Sequence, residues 1–358
     1  MGTEPSLPRE PQAGEGSGPT VIETVLATEL EHAKGGEVFA GAPGLRILPA
    51  RPEEAALARA VHEHRARAVI LGPARYVGPL YRALGDAAAE RGAIIARFGV
   101  GHDGVDKALA RDHGILVCNT PGALDISVAE HAIWLMGSLA RHVCRLAVQL
   151  RGGRFDGETG IELHGKRLGI LGFGRIGSRV AAMAHAGLAM RVLAAGALTT
   201  AELERREGQT LADIRAAYGL ELYTTRAEDV LVACDVLSIH LPALPATRRF
   251  VNAARLALMR PSALVVNTAR GSVLDEDALF DALAEGRLAG AALDVFEHEP
   301  YRPVTEGRDL RTLPSVLLTP HIGSDTFEAN RRMAESCVAN VTRFLAGDLS
   351  HLDRVEKS

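Results

Sequence analysis

Leu168-Gly-Ile-Leu-Gly-Phe-Gly-Arg-Ile-Gly177 decides how this chain is read. An apolar run suited to a buried strand ends in Gly172, Gly174 and Gly177, spaced G-x-G-x-x-G, and a helical pattern begins at about Arg175. In that context each glycine has its own task. Gly172 permits the tight turn, Gly174 lets backbone approach a pyrophosphate, and Gly177 allows the helix to pack closely on the strand. Arg175 and Ile176 open the helix, whose N-terminus favours negative charge, and they join the three glycines as cofactor-binding candidates. A bare glycine pattern is a weak signal, but the strand before it and the helix after it make this one strong. The cofactor implied is NAD or NADP.

The second strand of such a unit normally ends in an acid that holds the adenosine ribose, about 20 residues beyond the turn. Here that strand reads Met190-Arg-Val-Leu-Ala-Ala-Gly196, and Gly196 stands where the acid is expected. Nothing at Gly196 would repel a 2′-phosphate, so NAD and NADP both stay open. Thr199, Thr200 and the pair Arg205-Arg206 follow, and the plainer reading of the two arginines is a solvated helix face.

Working outward, apolar runs at Val21–Ala27, Leu45–Leu48, Ala68–Leu71, Ile94–Arg97 and Ile115–Cys118 alternate with helical patterns such as Glu53–His64 and Asp103–Asp112. After Pro121-Gly122 a long helix is expected, about Ile126 to Leu150. A second series then has strands at Leu168–Leu171, Arg191–Ala194, Val236–His240, Ala263–Asn267, Gly290–Leu293 and Ser315–Leu318, and a final helix at Thr326–Leu345. Alternation of this kind predicts parallel sheets covered by helices. The expected class is α/β, with two doubly wound parallel-sheet domains flanking a cleft. One is a Rossmann nucleotide-binding domain (122–322). The other is a flavodoxin-like substrate domain, discontinuous over 21–121 and 323–350, after a disordered tail (1–20) rich in Pro, Gly, Glu and Ser. Crossings near Pro121 and Gly323 would act as hinges that close the cleft.

Ligands of doubly wound sheets sit beyond the carboxyl ends of the strands, so the polar residues after each apolar run are the candidates. These are His240-Leu-Pro242, then Thr268-Ala269-Arg270-Gly271, then Asp294 with Glu299-Pro300, then His321-Ile-Gly323. An arginine, an acid pair and two histidines converge there. Arginine presents a fork matched to a carboxylate. A histidine can protonate an oxygen that gains charge as hydride arrives, and a neighbouring carboxylate would orient its ring. Glu299 is the expected partner of His321. His240 stays open between a wall of the cofactor pocket and plain packing.

The segments Asn119-Thr-Pro-Gly122, Val128-Ala-Glu-His131, Leu171–Gly177, His240-Leu-Pro242, Asn267-Thr-Ala-Arg-Gly271, Leu293-Asp-Val-Phe-Glu-His-Glu-Pro300 and Thr319-Pro-His-Ile-Gly323 resemble the D-2-hydroxyacid dehydrogenase family. The resemblance runs from about Ile94 to Leu345. It implies interconversion of a small 2-keto acid and its D-2-hydroxy acid, with Arg270 on the substrate carboxylate and carbonyl, His321 as acid/base and Glu299 as its partner. It further implies Asp294 on the nicotinamide carboxamide, and Thr268, Ala269 and Gly323 in the cofactor site. The backbone amides of Val100 and Gly101, in Arg97-Phe-Gly-Val-Gly101, would grip the substrate carboxylate. A homodimer joined through nucleotide domains is implied as well. Formate or phosphite oxidation and a dinucleotide-sensing corepressor role, both known within the family, are the alternatives. The regulatory domain that follows in some phosphoglycerate dehydrogenases is not expected in a chain ending at Ser358.

One further residue is singled out by position. Arg75, in the turn Leu71-Gly-Pro-Ala-Arg75-Tyr76 after a first-domain strand, is a candidate for a second anionic group on the substrate, and its plainer reading is an exposed arginine. The segment Arg205–Gly219 has no account in the sequence. His62-Glu63-His64 lacks the i, i+4 pairing of a zinc helix and reads as solvated, as does His298. Trp134 and Met136 are expected to pack a domain or subunit interface. Net charge is −4 in 358 residues, with no basic run to receive nucleic acid and no apolar stretch of membrane-spanning length. Cys118, Cys144, Cys234 and Cys337 lie far apart and read as reduced thiols, and the cytoplasm is the expected location.

Overall fold

The computed structural model describes residues 22–355, and the expected tail at 1–20 lies outside them. Five parallel strands form the first sheet: β1 (Glu23–Thr28), β2 (Leu45–Ala50), β3 (Ala68–Leu71), β4 (Ala93–Arg97) and β5 (Ile115–Cys118), in the order β2-β1-β3-β4-β5. Seven more form the second: β6 (Arg167–Leu171), β7 (Arg191–Ala195), β8 (Leu220–Thr224), β9 (Val236–Ile239), β10 (Leu264–Asn267), β11 (Gly290–Leu293) and β12 (Val316–Leu318). Their order is β12-β11-β10-β9-β6-β7-β8, again parallel throughout. The central strands are buried on both faces, as in Ala68–Leu71 and Val236–Ile239, which is why they read as unbroken apolar runs.

Each sheet has a core on both sides. In the first, Leu57, Leu80 and Leu84 pack one face, and Ala329, Met333, Cys337 and Val341 of the final helix pack the other. That helix, Phe327–Leu345, is capped by the Thr326 hydroxyl on the amide of Ala329. Helix Asp125–Ala140 carries the chain into the second sheet and packs on helix Arg175–Leu188. The two crossings lie side by side, since the hydroxyls of Ser127 and Thr326 are 2.9 Å apart and the Arg332 Nε donates to the Ala123 carbonyl at 2.7 Å. Beyond the final helix the tail returns along β5, where the Val355 amide donates to the Val117 carbonyl.

Two expectations change. The single helix predicted from Ile126 to Leu150 is two helices, Asp125–Ala140 and Val143–Arg151, because His142 turns left-handed at φ 55°. No glycine or proline marks the break. The Ala140 carbonyl instead accepts from the amide of Ile161, a contact from another part of the chain. Strand β8 is also absent from the sequence reading. It lies at the sheet edge, and only its first residue is fully buried, so it lacks the apolar run that reveals the others. Segment 205–219, without an account in the sequence, belongs to two short helices, Thr200–Glu207 and Leu211–Tyr218. Each begins in a capping box, at Thr199 and Thr210, and ends in a left-handed glycine, Gly208 and Gly219.

Candidate active site

Both sheets point the carboxyl ends of their strands into one cleft. Its floor is a cavity of about 210 Å³, lined by Pro73, Arg97, Gly101 and Asp103 from one side and by Arg270, Phe296, Glu299 and His321 from the other.

His321 follows β12 in the left-handed region, at φ 55°, an uncommon conformation that histidine tolerates better than most residues. Asp294 holds the segment that follows it. This carboxylate, 1% exposed at the end of β11, accepts from the amides of Ile322 (2.9 Å) and Gly323 (2.8 Å), from the Thr319 hydroxyl (2.6 Å) and from His131 Nε2 (3.3 Å). Burial works against its charge, but the His131, Thr319 and Ile322 hydrogen bonds outweigh burial and hold the carboxyl below its ordinary range. The segment so fixed puts His321 Nδ1 2.7 Å from Glu299 Oε2, while Glu299 Oε1 accepts from the Phe296 amide at 3.0 Å. The ring is therefore oriented from one nitrogen and leaves Nε2 on its opposite side.

Arg270 comes from the turn after β10. Its Nη1 donates to the Ala269 carbonyl at 2.6 Å and its Nε to Asp103 at 3.0 Å, an ion pair that reaches across the cleft. Burial opposes the Asp103 charge too, yet the Arg270 guanidinium keeps that carboxyl low. Gly101 leaves the guanidinium its room: a Cβ there would stand 1.3 Å from Arg270 Nη2. The amides of Val100 and Gly101 donate to no acceptor among the described residues, and the Val100 carbonyl is fixed by Asn119 Nδ2 at 2.8 Å. Arg97 is 8% exposed, hydrogen-bonded to the carbonyls of Phe98 and Leu71, and burial followed by the charge of Arg270 pushes its guanidinium down to about 10.

The glycine turn fits a pyrophosphate. Gly172 sits at φ 96° with the His240 carbonyl 2.5 Å from where a Cβ would be, and a Cβ on Gly177 would meet the Gly172 carbonyl oxygen at 2.2 Å. A Cβ on Gly174 would meet nothing within 4 Å, so the middle glycine faces open space at the helix N-terminus. The Arg175 side chain turns away to pair with Asp125 at 2.8 Å, and Ile176 packs between the two cores. Toward the cavity, Thr268 is buried with its hydroxyl unpartnered, and burial pushes the His240 imidazole down to about 4, leaving a neutral ring bonded to Ser238 at 2.8 Å. Ala269 is tied to Asn267 through its amide, and Pro242 is exposed, its carbonyl accepting from Thr247 at 2.5 Å. These features suit a dinucleotide: glycine backbone for the phosphates, an orphan hydroxyl and a neutral ring near the reacting end.

At Gly196 the structure gives a steric reason for the missing acid. The Tyr223 hydroxyl lies 2.5 Å from where a Cβ would stand and donates to the Leu198 carbonyl at 3.0 Å. The helix Thr200–Glu207 also brings Arg206 to the turn itself, where its Nη1 donates to the Phe173 carbonyl at 3.0 Å and Glu207 is its counter-ion at 2.7 Å.

Arg75 is corrected. It is exposed and lies off the cavity, whereas its neighbour Tyr76 is buried, bridged to Val105 and bonded to the Gly104 carbonyl at 2.8 Å. This turn reaches the cavity through Pro73 and not through Arg75. Sequence reading assigns no role to Asp103, Arg97 or His131. Asp103 lies two positions beyond Gly101, and His131 closes a quoted segment, but only the fold sets them beside Arg270 and Asp294.

The chain's relatives are consistent with this geometry. Residues 133–323 match the sequence model described as D-isomer specific 2-hydroxyacid dehydrogenase, NAD binding domain. A glyoxylate reductase of Pyrococcus furiosus is 39% identical over 270 residues, covering 73% of this chain and 75% of that one. A hydroxypyruvate reductase of Thermotoga maritima is 40% identical over 255 residues, 70% and 77% of the two chains. Among solved structures, an NADPH-dependent glyoxylate/hydroxypyruvate reductase of Sinorhizobium meliloti, in complex with NADP and malonate, superposes with a TM-score of 0.76 at 27% identity, covering 93% of this chain and 97% of that one.

Proposed function

The chain belongs to the D-isomer specific 2-hydroxyacid dehydrogenases, an NAD(P)-dependent enzyme family, and from that premise we propose that it reduces small 2-keto acids of glyoxylate or hydroxypyruvate size to their D-2-hydroxy acids. The observation that carries the proposal is the pairing of His321 with Glu299 at 2.7 Å, across a cavity of about 210 Å³ from Arg270. That volume falls below the roughly 300–1,000 Å³ of pockets built for larger ligands, which favours a substrate of few heavy atoms.

When bound, the nicotinamide cofactor supplies the hydride. The residues of the chain do the rest. Arg270 binds the carboxylate and polarises the carbonyl, with Asp103 as its counter-ion until substrate arrives. The amides of Val100 and Gly101 take the other carboxylate oxygen. His321 Nε2 delivers a proton to the forming alkoxide, and Glu299 stabilises the imidazolium and sets its tautomer. Gly172, Gly174, Gly177, Arg175 and Ile176 hold the pyrophosphate through backbone, while Thr268, Ala269, His240, Pro242 and Gly323 line the nicotinamide end. Asp294 Oδ2 accepts from one amide only and has capacity left for the carboxamide.

Two finer readings go with this. The site accepts NADPH as well as NADH, because Tyr223 replaces the ribose acid and Arg206 stands at the turn. The protein dimerises through the helix Val143–Arg151, which has no buried residue and exposes Val143, Val148 and Leu150, with Trp134 exposed on the preceding helix. The direct test is consumption of NADPH and NADH against glyoxylate, hydroxypyruvate, pyruvate and phosphohydroxypyruvate. Turnover of the small acids that disappears in Arg270→Ala and His321→Ala supports the reading. Dinucleotide binding without turnover of any acid overturns it.

A further inference from the structure

Behind the Glu299–His321 pair lies a group that the proposed chemistry does not use. Glu276 opens the helix Glu276–Ala284 and is only 5% exposed. Its Oε1 accepts from the amide of Glu297 at 2.5 Å, one residue after the Phe296 amide that binds Glu299. Two successive amides of one loop are thus held by two carboxyls, Glu299 at the cavity and Glu276 beneath it. The loop has little freedom elsewhere: a Cβ on Gly271 would stand 1.8 Å from the Phe296 carbonyl carbon, so the residue after Arg270 touches the same backbone. Glu297 is itself mostly covered, 13% exposed, with Arg248 on one oxygen at 2.6 Å. The remaining oxygen of Glu276 and that of Glu297 are both buried without a partner.

We propose that Glu276 is a positioning residue for the catalytic pair: as the neutral acid it fixes the loop Val295–Pro300 and thereby the reach of Glu299 to His321. This rests on the roles given above to Glu299 and His321. The chemistry favours the neutral form. An ionised Glu276 would place a third charge beside Glu297 and Glu299, with Asp277 next in the chain and the Tyr301 phenol within reach of the same charge, while Arg248 is paired to Glu297. A proton on its unpartnered oxygen gives the buried cluster the donor it lacks. Burial, then the charges of Glu297, Asp277 and Glu299, push this carboxyl up to about 7 against the Glu297 amide bond. The sign follows. With the value in the ordered loop raised above the ordinary 4.5, that loop is favoured at low pH and loses the support as pH rises through about 7.

The test is the pH profile of kcat for oxidation of D-glycerate with saturating NADP+ or NAD+, in the wild type, Glu276→Gln, Glu276→Ala and His321→Ala. In this direction His321 accepts the proton of the substrate hydroxyl, so the neutral ring is the working form in every variant that keeps it. Ionisation of Glu276 makes the wild-type rate fall above neutrality relative to Glu276→Gln. Glutamine keeps the neutral shape, so the ratio of Glu276→Gln to wild type should grow from about one at pH 6 to at least about threefold at pH 9. Glu276→Ala, if it folds, should lose about tenfold in kcat at pH 6 while its dinucleotide Kd stays within about twofold. A Gln-to-wild-type ratio that is flat with pH overturns the proposal, whatever alanine does. Should His321→Ala retain turnover, the failure belongs to the catalytic reading and not to Glu276 alone.

Discussion

Replacing Gly101 with alanine adds one methyl group to the cavity, and the structure fixes where it goes. The new Cβ would stand 1.3 Å from Arg270 Nη2 and 2.5 Å from its Cζ. The clash is with the far end of a flexible side chain, so the backbone at 101 can stay and the guanidinium must leave. Its ion pair with Asp103 at 3.0 Å is lost, and so is the fork that would meet the substrate carboxylate. A charge-assisted hydrogen bond of this kind contributes about 1.5–3 kcal/mol, which is roughly a 10- to 150-fold loss in kcat/KM for glyoxylate. Stability should change little, because Arg270 is 28% exposed and can swing into the cleft, and a Tm drop of no more than about 4 °C is expected. The measurement is kcat/KM with each nucleotide beside a melting curve, for Gly101→Ala, Arg270→Ala and the pair combined. Because both changes remove one interaction, the double variant should be no worse than Arg270→Ala. A kcat/KM within threefold of wild type, or losses in the double variant that multiply, would refute the reasoning.

Three other outcomes are expected. His321→Asn should lower kcat by about 10²- to 10⁴-fold while NADPH binding, followed by fluorescence, stays within twofold, since the ring lies beyond the phosphate turn. Arg206→Gln should weaken NADPH by about tenfold and NADH by less than about threefold, through loss of a cation at the Phe173 carbonyl, and equal losses in the two titrations would remove Arg206 from cofactor choice. Val148→Asp, on the exposed helix Val143–Arg151, should convert a dimer to a monomer by light scattering with the cavity intact, and an unchanged mass would put the interface elsewhere.

Sequence alone determined the two parallel sheets and the glycine turn, because both rest on local signals. A strand buried on both faces must be apolar at every position, as Val236–Ile239 is, and a turn around a phosphate must be glycine at spacings set by backbone geometry. The positions of Arg270, Glu299 and His321 after their strands were legible for the same reason, since parallel strands deliver their following residues to one edge. Tertiary structure alone decided what depends on contacts between distant segments. The helix break at His142 is set by an amide at Ile161, the edge strand Leu220–Thr224 by its neighbour, and the inward turn of Tyr76 in place of Arg75 by Val105. Gly196 was visible as a missing acid, but its cause, the hydroxyl of Tyr223, comes from a strand that no local pattern announces. The same holds for Asp103 beside Arg270 and Glu276 beneath Glu299. A carboxylate's role depends on the charge it faces and the water it has lost, and both are fixed only when segments far apart in the chain are packed together.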